Sequence, residues 1–378
     1  MRILIGADTV PTESNSSYFS SGQIDALLGS NLREVMDSAD FRLVNLEVPF
    51  ASEVHPIKKC GPNLSADPRV INGFKAMGIN CVSMANNHIL DQGSAGYYET
   101  VRVLDEACID HFGAGSNLAE AQMPYRISAG DIKIGFVSFA EHEFTIASEN
   151  TPGANPYNDE DAIRVIRSLK IECDYVVALY HGGIEHYRYP SPQLQHRCRR
   201  LVDSGADYVI CQHSHCIGCY ETYDNSTIVY GQGNFIFDAD ELECWQTSLL
   251  IELSFTKDAT SIKYYPIRKN GPFVNLAKDS EGDSIIEAFE YRSKEIAGDS
   301  RFLEENFIDY SRENLYWTLR SFIPGGNSII FRVANRITGG KLASKILGEQ
   351  KLLSILNKVE CEAHREVLIT GLKDYIGR

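Results

Sequence analysis

Five short apolar runs in this 378-residue chain lead to residues that can bind a metal or move a proton. Arg2 to Gly6 stops at Asp8, Phe41 to Leu46 at Glu47, and Cys81 to Ala85 at Asn86-Asn87-His88. Tyr175 to Tyr180 stops at His181, and the run from Tyr208 ends in Gln212-His213-Ser214-His215. Side chains two apart on an extended backbone point to the same side, so His213 and His215 are expected to present their imidazoles to one point. Taken singly, each residue has an ordinary reading. An aspartate after a strand caps a turn, a glutamate near a proline is a solvated loop acid, Asn-Asn is a turn, and His181 or His186 is a hydrogen-bonded structural histidine. Those readings do not explain why all these types fall just past successive strand ends. A site does, because ligands of open α/β sheets bind outside the carboxyl ends of the strands, which the crossover connections bring together.

The donor set indicates the chemistry. Carboxylates, an asparagine carbonyl and histidines suit Mn, Fe or Zn, and differ from the thiolates of a structural zinc site. Six such groups exceed what one catalytic ion with an open position needs. Two divalent metal ions about 3.5 to 4 Å apart, sharing a carboxylate, would use them all.

The elements that must position these groups alternate between strand and helix over the first 120 residues. Helices are expected near Asn31 to Ser38, Asp67 to Met77 (Asp67 capping, Pro68 in the first turn, Gly78 closing) and Ala95 to Ala107. Tyr125 to Ile127 and Ile132 to Val137 flank Ala129-Gly130-Asp131, a hairpin signal, so antiparallel strands join the sheet. Further helices are expected over Asp159 to Leu169 and Pro192 to Asp203. Ser226 to Tyr230, Gln246 to Phe255 and Ser261 to Ile267 are rich in β-branched and aromatic residues and read as an antiparallel second layer. The expected fold is α/β: a four-layer αββα sandwich of two mixed sheets flanked by helices over residues 1–275, with a C-terminal helical extension over 276–378. The tail is broken at Pro324-Gly325-Gly326 and Gly339-Gly340, holds no catalytic cluster, and could form a homodimer through its helices.

Composition narrows the function classes. With 43% hydrophobic and 23% charged residues the chain is globular, and its formal net charge of -15 disfavours nucleic acid and anionic membrane as general partners. No run approaches the roughly 18 apolar residues of a membrane span. Met1-Arg2 runs straight into the first strand without a secretory leader, and ten scattered cysteines read as free thiols of a cytoplasmic protein. Cys216-Ile217-Gly218-Cys219 has zinc or redox spacing. It lacks a second pair, though, and is followed by an extended segment rather than a helix, so it reads as structural. Lys58 and Lys59 could meet an anionic substrate, although exposed lysines are usually just solvated.

Several motifs in fixed order carry a resemblance: Gly6-Ala7-Asp8, Asn45-Leu46-Glu47, Ala85-Asn86-Asn87-His88 with Asp91 and Gly93, Gly113-Ala114-Gly115, His181-Gly182-Gly183-Ile184-Glu185, Gln212-His213-Ser214-His215 and Gly233-Asn234-Phe235-Ile236-Phe237-Asp238. Over about residues 1 to 270 the chain resembles the poly-gamma-glutamate capsule biosynthesis (CapA) family, which is similar in fold to the calcineurin-like metallophosphoesterases. The resemblance implies Asp8, Glu47 and one histidine of the 213/215 pair around one metal. It implies Glu47, Asn87, His181 and the other histidine around a second, with Glu47 bridging. His88 matches the histidine that stabilises the transferred phosphoryl group or protonates the leaving oxygen, and Asn45, Asn86, Glu185 and Asn234 would face substrate. Ala7 stands between glycine and aspartate, no histidine follows two residues after Asp8, and Gly182 replaces a more usual tryptophan. The implied function is a di-metal hydrolase, foremost a phosphoesterase attacking with a metal-bridging hydroxide, on a small anionic or polymeric substrate of capsule or cell-envelope metabolism. Two other readings stay open: a non-hydrolytic metal-binding accessory protein, and a gamma-glutamyl amidohydrolase.

Overall fold

The structure is a computed structural model and describes residues 1–238, 241–299 and 301–377. In chain order its strands are β1 (Arg2–Thr9), β2 (Phe41–Leu46), β3 (Cys81–Ser83), β4 (Asp110–Phe112), the two-residue β5 (Ala114–Gly115), β6 (Tyr125–Ala129), β7 (Ile132–Ala140) and the two-residue β8 (Gly153–Ala154). They continue with β9 (Tyr175–His181), β10 (Tyr208–Gln212), β11 (Tyr220–Tyr223), β12 (Ser226–Val229), β13 (Asn234–Ile236), β14 (Thr247–Phe255), β15 (Thr260–Asn270) and β16 (Phe273–Leu276).

Two mixed sheets form. The first has the order β16-β15-β14-β1-β2-β3-β4, with β13 also pairing β1, and the second the order β11-β12-β10-β9-β7-β6. Their centres are parallel: β1 to β4 in one sheet, and β7, β9, β10 and β12 in the other. Parallel strands buried on both faces are apolar throughout, and the side chains divide between two cores accordingly. Ile3, Ile5 and Leu43 meet Phe136, Val177, Leu179 and Ile210 between the sheets. Leu4, Val44 and Val82 face outward onto Leu32, Met36, Phe74 and Leu104 of the helices covering the first sheet. Val176, Ala178 and Val209 face Ile166, Leu169, Cys198 and Leu201 of helices Asp159–Glu172 and Pro192–Asp203. The architecture is therefore the expected αββα sandwich.

The partition of strands differs from expectation. The late β-rich segments do not make a second layer of their own. β14 pairs antiparallel with β1 and β15 with β14, widening the first sheet, while β12 lies parallel to β10 in the second. Content of β-branched residues says that a segment fits a pleated surface and leaves its partner undetermined.

The chain divides into two compact units, Met1–Leu303 and Glu304–Arg378. Helix Asp279–Gly298, placed by sequence at the start of the extension, belongs to the first: Phe289 is fully buried in the core between the sheets, and Ser293 Oγ accepts a 2.9 Å hydrogen bond from Tyr220 N. Among the described residues no helix is long and apolar enough to cross a membrane.

Candidate metal centre

Asp8 lies near the end of β1, where the pairing with β2 slips: Gly6 is opposite Val44, but Asp8, two residues on, is opposite the very next residue, Asn45. Ala7 is thus the extra residue of a bulge, and bulges re-aim the side chains beside them. What looked in sequence like an insertion is the element that aims the aspartate. Asp8 Oδ1 accepts from Asn45 Nδ2 at 2.7 Å, and its Oδ2 accepts from the backbone N of His213 at 3.3 Å and lies 3.5 Å from His215 Nδ1.

Glu47 follows β2 directly. After β3 the chain turns through Asn86-Asn87-His88, and Asn86 fixes that turn. Its Nδ2 donates to Leu46 O (2.8 Å) and Asn45 Oδ1 (3.1 Å), while its Oδ1 accepts from His88 N (3.1 Å). His181, the last residue of β9, enters from the other sheet. Its Nδ1 is 3.3 Å from Asn45 Nδ2, which leaves Nε2 to face Asn87 Oδ1 at 3.1 Å and Glu47 Oε1 at 3.2 Å.

His213 and His215 do converge, although not by strand alternation. β10 ends at Gln212, and the two histidines take positive φ values of 91° and 54°. Such conformations cost a non-glycine residue about 1–3 kcal/mol and persist where surrounding structure imposes them. The His213 ring stands 4.9 Å from that of His181 and 5.9 Å from that of His215. The site therefore forms where the carboxyl ends of two facing sheets meet, with Asp8, Glu47 and Asn87 contributed by one and His181, His213 and His215 by the other.

Two trios bring their donor atoms within 4.8 Å of one another, Asp8-Glu47-His215 and Glu47-His181-His213, and Glu47 is common to both. The electrostatics fit a cation. Glu47 is fully buried, neither carboxylate oxygen has a hydrogen-bond partner, and burial together with the charge of Asp8 pushes its pKa up to about 8. Burial works against an ionised Asp8 too, but hydrogen bonds from His215 and Asn45 and the histidine charges hold its carboxyl well below the usual range. Burial lowers His181 to about 4 and His213 to about 3, the latter helped by the other two histidines, so both are neutral at pH 7. A neutral imidazole is the form that coordinates a metal. Burial likewise opposes protonation of His215, yet the hydrogen bond to Asp8 and the charges of Glu47 and Asp8 raise it to about 9. Without metal, the proton on His215 is the counter-charge of Asp8, and Glu47 has none. A divalent cation in each trio would supply it.

His88 sits at the rim, its side chain 11% exposed, with Nδ1 2.5 Å from Asp91 Oδ2. Asp91 Oδ1 also accepts from Lys59 Nζ, whose side chain is buried, so one carboxylate is shared between an ammonium and an imidazole. Lys59 is accordingly no solvated surface lysine. The sequence offered only the adjacent pair Lys58-Lys59, and the fold decides which of them turns inward.

Of the four residues expected around substrate, Asn45, Asn86 and Asn234 are fully buried. Asn45 and Asn86 hold the centre as described, and Asn234 Oδ1 lies 2.8 Å from His215 Nδ1. Glu185 is exposed, and its charge acts on Glu47 and His213. Two neighbours had no signal in sequence. Glu143 accepts from Asn87 Nδ2 at 3.4 Å, and the Trp245 ring lies 4.5 Å from that of His215 while its Nε1 donates to His186 Nε2 at 2.9 Å. Asn45 touches both Asp8 and His181, so Asn45→Ala is expected to weaken Mn or Zn binding by about 10- to 100-fold with the fold intact, the usual loss for a residue that orients ligands. Calorimetric metal titration reads this directly, and an unchanged affinity would count against the centre as drawn.

Comparison with known proteins identifies the family. A family model described as "Bacterial capsule synthesis protein PGA_cap" matches residues 8–239, which contain all of the residues above except Gly6, Ala7 and Trp245. The capsule biosynthesis protein CapA of Bacillus anthracis is 28% identical over 215 residues, 55% of this chain and 49% of its own. A "Probable polyglutamine synthesis accessory protein" of Mycobacterium tuberculosis is 26% identical over 278 residues, 68% of this chain and 73% of its own. The chain spans about half the length of the Bacillus relatives it matches. Among solved structures, a hypothetical protein from Thermus thermophilus aligns with a TM-score of 0.47 at 15% identity, covering 71% of this chain and all of that one.

Proposed function

The chain belongs to the bacterial capsule synthesis protein family, and from that premise we propose that it is a di-metal hydrolase, a phosphoesterase acting on a small anionic or polymeric substrate of capsule or cell-envelope metabolism. The observation that carries the reading is Glu47, a fully buried carboxylate without a hydrogen-bond partner, shared by two sets of ligands. In this reading Asp8, Glu47 and His215 hold one ion, and Glu47, Asn87, His181 and His213 hold the other. Bound there, divalent Mn, Fe or Zn supplies Lewis-acid polarisation of a phosphoryl oxygen and a more acidic water.

The protein's own groups do the rest. Asn45 and Asn86 keep the carboxylate, the amide and the imidazoles in register, which is the preorganisation that makes electrostatic stabilisation effective. Asp91 holds His88 through Nδ1, so Nε2 is the nitrogen that hands a proton to the departing alkoxide. Burial of the ligand set keeps bulk water from competing for it. No disulfide forms among the described cysteines, which supports the reading of a reducing, cytoplasmic compartment.

The test is metal removal followed by titration with Mn, Fe(II) or Zn. Metal content and turnover of p-nitrophenyl phosphate, its bis-ester and a gamma-glutamyl anilide are followed together. Two ions per chain and phosphoester turnover rising with the second are expected. A fully loaded protein inert on every substrate would favour the second reading, a metal-stabilised accessory protein, for which the name of the Mycobacterium relative speaks. Selective turnover of the anilide would favour an amidohydrolase.

A further inference from the structure

The second compact unit exposes an apolar helix face bordered by arginines. Helix Ile329–Ile337 packs through Phe331 against the small cluster of Leu319, Ile323, Ala343 and Leu347. That leaves Ile329, Ile330, Val333 and Ile337 facing solvent at 53–83% exposure. Isolated exposed aliphatics need no explanation, but four on one short helix form a contiguous patch of the kind that marks an interaction surface. Arg332 and Arg336 flank the patch. Beside them Trp317 is half-exposed, with the Arg320 guanidinium 3.1 Å and that of Arg332 5.4 Å from its ring centre. Trp317, Arg320, Ile329, Arg332, Val333 and Arg336 line a cavity of about 680 Å³ together with the single acidic residue Glu313, and Arg320 Nη1 is buried without a hydrogen-bond acceptor.

Charge selects the occupant. Between Asn314 and Gly348 there are five basic residues, Arg320, Arg332, Arg336, Lys341 and Lys345, and no Asp or Glu, in a chain whose net charge is -15. We propose that this face is an interfacial docking surface for anionic phospholipid. The aliphatic face of Ile329–Ile337 and Trp317 enters the headgroup–acyl boundary, and the arginines, including the unsatisfied Arg320, pair with lipid phosphates. With no described helix able to span a bilayer, the segment lies on the membrane rather than through it. A second copy of the chain fits less well, because a two-fold contact through this patch would bring two like-charged arginine-rich surfaces together.

The full chain is tested by co-sedimentation with phosphatidylcholine vesicles with and without phosphatidylglycerol, at low and high salt. At least about tenfold tighter binding to the anionic vesicles is expected, weakened by salt, with a blue shift of tryptophan emission that is absent in Trp317→Phe. The charge reversals R332E and R336E together, and Ile330→Asp with Ile337→Asp separately, should abolish the preference while leaving the far-ultraviolet circular dichroism and the metal content unchanged. Equal binding to both vesicle types, or binding unaffected by the charge reversals, overturns the proposal. So does a dimer or an acidic protein complex that these substitutions dissolve while no vesicle binding is seen.

Discussion

Glu47→Gln is expected to strip the protein of divalent metal and to lower phosphoester turnover by at least about 10³-fold, several kcal/mol of transition-state stabilisation. Glutamine keeps the packing at this fully buried position and removes only the charge that both ligand trios share. The same substitution should alter the pH dependence of the metal-free protein. Folded Glu47 keeps its proton up to about pH 8, whereas an ordinary glutamate in the unfolded chain releases it near 4.5. Between those values the folded state binds more protons, so stability falls as pH rises, by up to about 1.4 kcal/mol per unit. Denaturant midpoints of metal-free wild type should therefore decline across that window relative to Glu47→Gln. Saturating Mn or Zn should erase the decline in wild type, because a cation then compensates the buried charge. Superimposable curves for the two metal-free proteins, or full metal content in the variant, would remove the basis for a shared bridging carboxylate.

Much of this centre could be read from residue order because strands buried on both faces are apolar throughout, and the first polar residue after such a run marks its carboxyl end. That is how Asp8, Glu47, Asn87 and His181 came to notice, and the structure brings all four together. The histidine pair was identified by the wrong geometry. A spacing of two suggests one face of a strand, yet His213 and His215 lie beyond β10 in positive-φ conformations, imposed by contacts with Asp8 and Asn234 that are remote in sequence. Sheet membership was equally hidden, since β14 and β12 have similar compositions and join different sheets. Lys59 arrives through a loop and Trp245 on the single 3-10 turn Glu243–Gln246, both too irregular or short for periodicity to say which side chain turns inward. The boundary near residue 275 falls where strand composition gives way to helix, but Phe289 is held by the core between the sheets, and only the packed structure reveals that attachment.

His88→Ala should retain full metal occupancy while losing about 10²- to 10⁴-fold in kcat, the range for removal of a general acid. The division between chemistry and binding follows from position: His88 adjoins the proposed ligand Asn87 in sequence but is absent from both trios, and its Nδ1 is committed to Asp91. Leaving groups expose its role. A p-nitrophenolate departs without help, so the loss should be small with p-nitrophenyl phosphate and large with an alkyl phosphate whose alkoxide must be protonated. Asp91→Asn should follow the same order with a smaller loss of about 10- to 100-fold, because the asparagine still orients the ring while no longer supporting a proton on it. Equal losses across leaving groups would assign His88 to stabilising charge on the phosphoryl oxygens instead. No loss on any substrate that the wild type turns over, at full metal content, would remove His88 from the reaction.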